Sequence, residues 1–122
     1  DLASLVFRLK VRGLSVLLTG DLENEGEEML VQSGIQHADI LKVGHHGSKN
    51  GTGEELLRQL RPKIAIVSAG KKNRYGHPHR ETVRRLNDSG CSIYETSRSG
   101  MLWFSMERKR WYLNSKLDIM KQ

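Results

Sequence analysis

The sequence predicts an α/β fold built around a mixed sheet, and three observations point there. Short apolar runs alternate with polar stretches that carry helix start and stop signals between residues 14 and 96. A tight hairpin leads into that alternation, and an aromatic-rich, strand-like stretch closes the chain. With 122 residues the chain has material for one hydrophobic core, and 37% apolar residues with 12 Gly and 2 Pro suit an ordinary globular domain.

Taken in order, "SLVFRLKV" alternates from Leu5 to Val11 and reads as a half-buried strand. A tight turn at Arg12 and Gly13 leads to "SVLLTG", so residues 5–20 form a hairpin whose second strand delivers Asp21. "ENEGEEMLVQSG" reads as a helix with acid in its first turn and Gly34 closing it. "ADILKV" is the next strand and ends at His45 and His46. "TGEELLRQLRP" has a capping-box pattern from Thr52 to Glu55 and stops at Arg61 before Pro62. "KIAIVSAG" is a third apolar strand. Pro78 is placed in the first turn of the helix "HRETVRRLNDSG", with Gly90 at its end. "CSIYETS", "GMLWFSM" and "RWYLN", joined by the turns "RSG" and "ERK", read as a closing β-meander. The domain is expected over 1–114 and a tail over 115–122; the chain opens mid-pattern, as a piece of something longer.

No run approaches the roughly 18 apolar residues that span a bilayer. One cysteine, Cys91, excludes an internal disulfide framework and reads as a small buried apolar residue. The net charge of +6 suits a polyanionic partner or, equally, a solvated basic face. Acid gathers early in "DLENEGEE" and base late, in "RYGHPHRETVRR" and "ERKRWYLNSK".

Ligands of open α/β layers bind beyond the C-terminal ends of the strands, and three successive strands end there in chemically able residues. Asp21, after a glycine, either bridges two metal ions or caps the following helix; the residues alone leave both open. His45 and His46 are flanked by Gly44 and Gly47, and neighbours on an extended chain point opposite ways. If one is a ligand it is His45, with His46 toward substrate; the alternative is a pair of surface histidines in a turn. Ser48 is placed to donate to a phosphate oxygen. In "NRYGHPH", Asn73, Arg74 and Tyr75 suit phosphate binding, whereas His77 is a ligand, an acid or base, or a helix cap. His79 is expected exposed in the first helical turn, and His37, away from the productive strand ends, is read as structural. Trp103, Phe104, Trp111 and Tyr112 either stack bases or pack, with packing favoured for at least two. Arg108, Lys109, Arg110 and Lys116 either contact phosphates or decorate a turn.

Together, "LLTGD", "ADILKVGHHGSKN", "LRPKIAIVSAGKKNRYGHPHRETVRRL" and "TSRSGMLWF" resemble the C-terminal half of a metallo-β-lactamase-fold domain. More narrowly, they resemble the hydrolase domain of ComEC-type DNA internalisation competence proteins. The resemblance covers residues 5 to about 105 and implies a metallo-β-lactamase-like αββα sandwich with helices on the outer face. It implies two divalent metal ions, Zn or Mn, in the complete domain. Asp21 matches the bridging aspartate and His45 the last metal position, with His46 and His77 as catalytic groups. Ser48, Asn73, Arg74 and Tyr75 fall at the substrate side of the cleft. The implied activity is a two-metal phosphodiesterase or nuclease acting on DNA during competence-linked uptake. A metallohydrolase for another phosphoester and a non-catalytic DNA-binding module are the alternatives. The family's clustered H-x-H-x-D-H signature is absent here, so this piece alone is expected to bind metal weakly and be inactive. The expected partners are DNA, the N-terminal half of the same domain, the membrane-embedded portion of a parent chain in the bacterial cell membrane with this domain extracytoplasmic, and a second copy through exposed edges.

Overall fold

The computed structural model describes residues 5–44, 51–68 and 78–116. In chain order the elements are β1 (Phe7–Val11), β2 (Leu14–Leu18), α1 (Asn24–Gln32), β3 (Ile40–Lys42), α2 (Glu54–Leu60), β4 (Ile64–Val67), α3 (Arg80–Asp88), β5 (Ser92–Glu95), α4 (Thr96–Ser99), β6 (Leu102–Glu107) and β7 (Arg110–Ser115). Strands β1 to β5 form one sheet in chain order, β1 antiparallel to β2 and the rest parallel. The hairpin turn is made by Arg12 and Gly13, both at positive φ, which matches the twist of the strands it joins.

Each helix from α1 to α3 crosses between adjacent parallel strands, and right-handed crossovers of that kind put all three on one face. That face carries Leu17, Leu41 and Ala65 in register, and all three are fully buried. They pack with Leu56, Leu57 and Leu60 of α2, Leu86 of α3 and the apolar side of α1 at Leu30 and Val31. Cys91 joins this core at 7% exposure, its Sγ 3.1 Å from the Ser89 hydroxyl, as a small buried residue should. The alternate residues, Val16, Leu18, Ile64 and Ile66, face the other way and stay half-exposed.

Five local expectations are corrected. Every residue of β1 is exposed rather than half-buried, with Phe7, Leu9 and Val11 about half accessible, because β1 is the edge strand and its apolar residues continue the helix-free face. Thr52 does not head a capping box: it precedes the N-cap Gly53, at φ +56, while Glu55 pairs with Arg58. Pro78 lies before the helix instead of in its first turn. His79 is the N-cap of α3, its Nδ1 accepting from the Glu81 N–H at 3.2 Å, so it is not merely exposed there, and it fills the cap that the sequence also left open to His77. Finally, β5 does not join a meander. It pairs parallel with β4 in the main sheet, and after the single turn α4 only β6 and β7 form the closing hairpin.

The hairpin begins a second layer. Register pairs Phe104 with Leu113 and Met106 with Trp111 on one side, and these line a cavity of about 430 Å³ with Leu14, Ile40 and Ile64. Phe104 and Trp111 are half-buried on that side. Trp103 and Tyr112 lie on the opposite side of the ribbon with Ser105 and Asn114, whose amide bonds the Ser105 hydroxyl and two ribbon carbonyls. Arg108 and Lys109 form the hairpin turn at positive φ, and β7 runs to a buried Ser115.

Candidate metal centre at the strand C-terminal edge

Parallel pairing places Leu18, Lys42 and Ile66 side by side, so β2, β3 and β4 release their connections from one edge. After Leu18 the chain turns at Gly20, φ +58, with the Leu22 N–H bonded to the Thr19 carbonyl at 3.1 Å. The buried Thr19 hydroxyl donates to the Lys42 carbonyl at 3.2 Å, which ties this turn to the end of β3. Asp21 stands at its tip, exposed, with no hydrogen bond or ion pair to its carboxylate among the described residues. The cap reading for Asp21 fails, since α1 has Glu23 at its N-cap, without a side-chain cap bond.

Gly44 shows why "KVGHH" carries a glycine. A Cβ there would lie 2.9 Å from Thr19 Oγ1, 3.2 Å from the Gly20 carbonyl oxygen and 3.3 Å from that of Leu22. The backbone that leads into His45 is thus pressed against the turn holding Asp21, a closeness only glycine allows. Gly51, where the segment returns, meets the same Leu22 carbonyl: its Cβ would lie 3.2 Å away. His45, His46, Gly47 and Ser48 fall between these anchors and lie outside the described residues, as do Asn73, Arg74, Tyr75 and His77. The structure thus sites Asp21 and both anchors of the histidine segment together. It also brings the end of β4, from which the 69–77 segment departs, to the same edge.

Two charged groups near this edge carried no sequence signal. Lys42 is half-buried in the row between Leu18 and Ile66; burial pulls its ammonium below the ordinary lysine range, and the Asp21 carboxylate opposes that. Glu27, read only as a helix-dipole charge, is 8% exposed and accepts from the Thr52 N–H at 2.7 Å and the Gly53 N–H at 2.5 Å. Nothing distinguishes Glu27 from Glu25 or Glu28 until the fold turns it inward.

His37 is structural, as expected. Its Nδ1 meets the Leu60 carbonyl at 2.6 Å and its Nε2 meets Asp39 at 3.1 Å, at the opposite end of the strands. Among the described residues no three His, Cys, Asp or Glu side chains gather as a metal site. A carboxylate with no hydrogen bond or ion pair among the described residues, on a turn against which Gly44 and Gly51 are packed, suits a metal ligand in its donor chemistry. No helix among the described residues is long and apolar enough to cross a membrane.

Comparison with known proteins adds the family. Residues 3–71 match the model of the metallo-beta-lactamase superfamily, a span that includes Asp21 and both histidines. The ComE operon protein 3 of Bacillus subtilis is 47% identical over 109 residues, 88% of this chain and 14% of that protein. The Recombination protein 2 of Haemophilus influenzae is 42% identical over 88 residues, covering 72% of this chain and 11% of its own length. The Competence protein ComA of Neisseria gonorrhoeae is 36% identical over 107 residues, 86% of this chain and 16% of that protein. The chain therefore spans less than a fifth of the length of these relatives.

Proposed function

The chain belongs to the metallo-beta-lactamase superfamily, and on that premise we propose that it is part of a two-metal phosphodiesterase acting on DNA during its uptake by competent bacteria. The competence and recombination names of its relatives support that setting. The observation that carries the reading is the packing of Gly44 onto the turn of Asp21, which brings the anchor of the histidine segment to that carboxylate's turn.

In this reading Asp21 and His45 hold divalent metal, Zn or Mn, which when bound supplies a hydroxide near neutral pH and clamps phosphoryl oxygens. Among the described residues no hydrogen bond or ion pair engages the two Asp21 carboxylate oxygens. Lys42 adds positive charge beside it, which favours an anionic substrate at this edge. His46 and His77 are assigned to proton handling, and Ser48, Asn73, Arg74 and Tyr75 to phosphate contacts. The helix-free sheet face, with Phe7, Leu9, Val11, Val16, Leu18 and Ile66, is the surface on which the rest of the domain packs. A second copy competes for the same face. The parent is placed in the bacterial cell membrane with this domain outside.

The test is a nuclease assay on the complete domain with Mn²⁺, comparing wild type with Asp21→Ala and His45→Ala. Cleavage by the wild type and its loss in both variants is expected; unchanged cleavage in both would sink the site assignment.

A further inference from the structure

The segment 45–50 is fastened at its exit by two residues from the helical layer. Glu27 of α1 accepts the backbone N–H groups of Thr52 and Gly53. Arg85 of α3 donates from Nη2 to the Gly51 carbonyl at 2.9 Å and from Nε to the Thr52 carbonyl at 3.1 Å. Four successive backbone groups are thus bound by two side chains of opposite charge, and Arg85 is further braced by the Thr82 hydroxyl at 3.2 Å. Thr52 sits at φ +56, a conformation unfavourable for a β-branched residue, which these bonds hold in place. Gly51 meanwhile lies against the Leu22 carbonyl, two residues from Gly20, and a Cβ on it would be 3.9 Å from the Gly44 carbonyl. Entry and exit of the histidine segment are therefore pinned beside one another on the Asp21 turn.

We propose that Glu27 and Arg85 are positioning residues, which fix where the histidine-bearing segment re-enters the fold beside the Asp21 turn. The assignment rests on the reading of His45 as a metal ligand. A buried Glu27 beside a partly buried Arg85 is a poor source of stability, because desolvation consumes most of the attraction, whereas such groups hold geometry well. Burial pushes the Glu27 carboxyl up despite the N–H bonds from Gly53 and Thr52 and the charge of Arg85, so ionised Glu27 is a cost that the fold sustains. A helix cap alone needs no such arrangement, since a local Ser or Asp at Gly53 would serve α2.

The test uses Glu27→Gln, which replaces one acceptor oxygen with an NH₂ facing an N–H, and Arg85→Met, which removes the donors from the other side. In the 122-residue chain, amide hydrogen exchange at residues 51–53 is expected to quicken about tenfold or more, while Leu41 and Ala65 keep their protection. The ring resonances of His45 and His46 shift in both variants, and Glu27→Asp partly restores them. Parallel acceleration at all amides, outright unfolding of both variants, or unmoved histidine resonances would overturn the proposal. In the complete domain with Mn²⁺, both variants are expected to lower kcat more than they raise KM for a single-stranded oligonucleotide; a change in KM alone also contradicts it. Absence of cleavage by the wild type defeats the nuclease reading instead, and leaves the exchange and resonance results standing on their own.

Discussion

Asp39 sits where β3 begins and collects bonds from three directions. Its Oδ2 accepts from the Ser15 N–H at 2.9 Å and the Ser15 hydroxyl at 3.0 Å, and its Oδ1 meets His37. Burial pushes its carboxyl up, but the Ser15 amide, the His37 ring and the Ser15 hydroxyl together hold it below the ordinary range. The unfolded chain therefore binds more protons between the folded and ordinary values. The stabilisation is complete above the ordinary carboxylate value and is lost as pH falls through the lowered one. Asp39→Ala is expected to cost about 1.5–3 kcal/mol at neutral pH and to flatten the acid limb of the stability curve, as urea titrations at several pH values will show. At the other strand end, Asp21→Asn removes the charge that props up Lys42, so the Lys42 ammonium titrates at still lower pH; ¹⁵N-detected titration of Nζ reads this, and an unmoved midpoint would separate the two groups. His37 was legible as structural because it precedes the strand. Lys42 was not, because half-burial between Leu18 and Ile66 follows from strand pairing that no local pattern states.

Among the elements, the core strands and three crossover helices were legible because each carries its own signals: short apolar runs for β2 to β4, β-branched in β4, and Gly34, Pro62 and Gly90 as stops. Cap chemistry was less so. Thr52 and Glu55 have the spacing of a capping box, yet Glu27 from another helix takes the amides that Thr52 and Gly53 present, and a side chain from afar leaves no local trace. The alternation in "CSIYETS" fits any half-covered strand, so the sequence did not reveal that β5 would pair with β4 rather than with β6. Between β2 and β3 the decisive contact is steric. Gly44→Ala forces a methyl to 2.9 Å from Thr19 Oγ1 and against two carbonyl oxygens, a strain of about 1–3 kcal/mol. A lowered thermal midpoint and a weakened Thr19 to Lys42 tie are expected; wild-type stability in that variant would remove the reason given for the glycine.

At the scale of the molecule, one sheet face is buried under helices and the other is only partly roofed by the β6–β7 hairpin. The shared C-terminal edge of β2, β3 and β4 was legible from the order of strands, since these three do lie adjacent and parallel. The distribution of roles among Asp21, His45 and the 69–77 segment came from the family pattern instead, because single residues at strand ends have several ordinary uses. Everything proposed about catalysis rests on Asp21 and His45 sharing a metal. The most direct measurement is an anomalous difference map from a crystal of the complete domain grown with Zn²⁺. A peak about 2.0–2.2 Å from Asp21 carboxylate oxygen and about 2.0–2.1 Å from a His45 ring nitrogen is the expected result. Zinc bound elsewhere, with the Asp21 carboxylate left uncoordinated, would contradict the account.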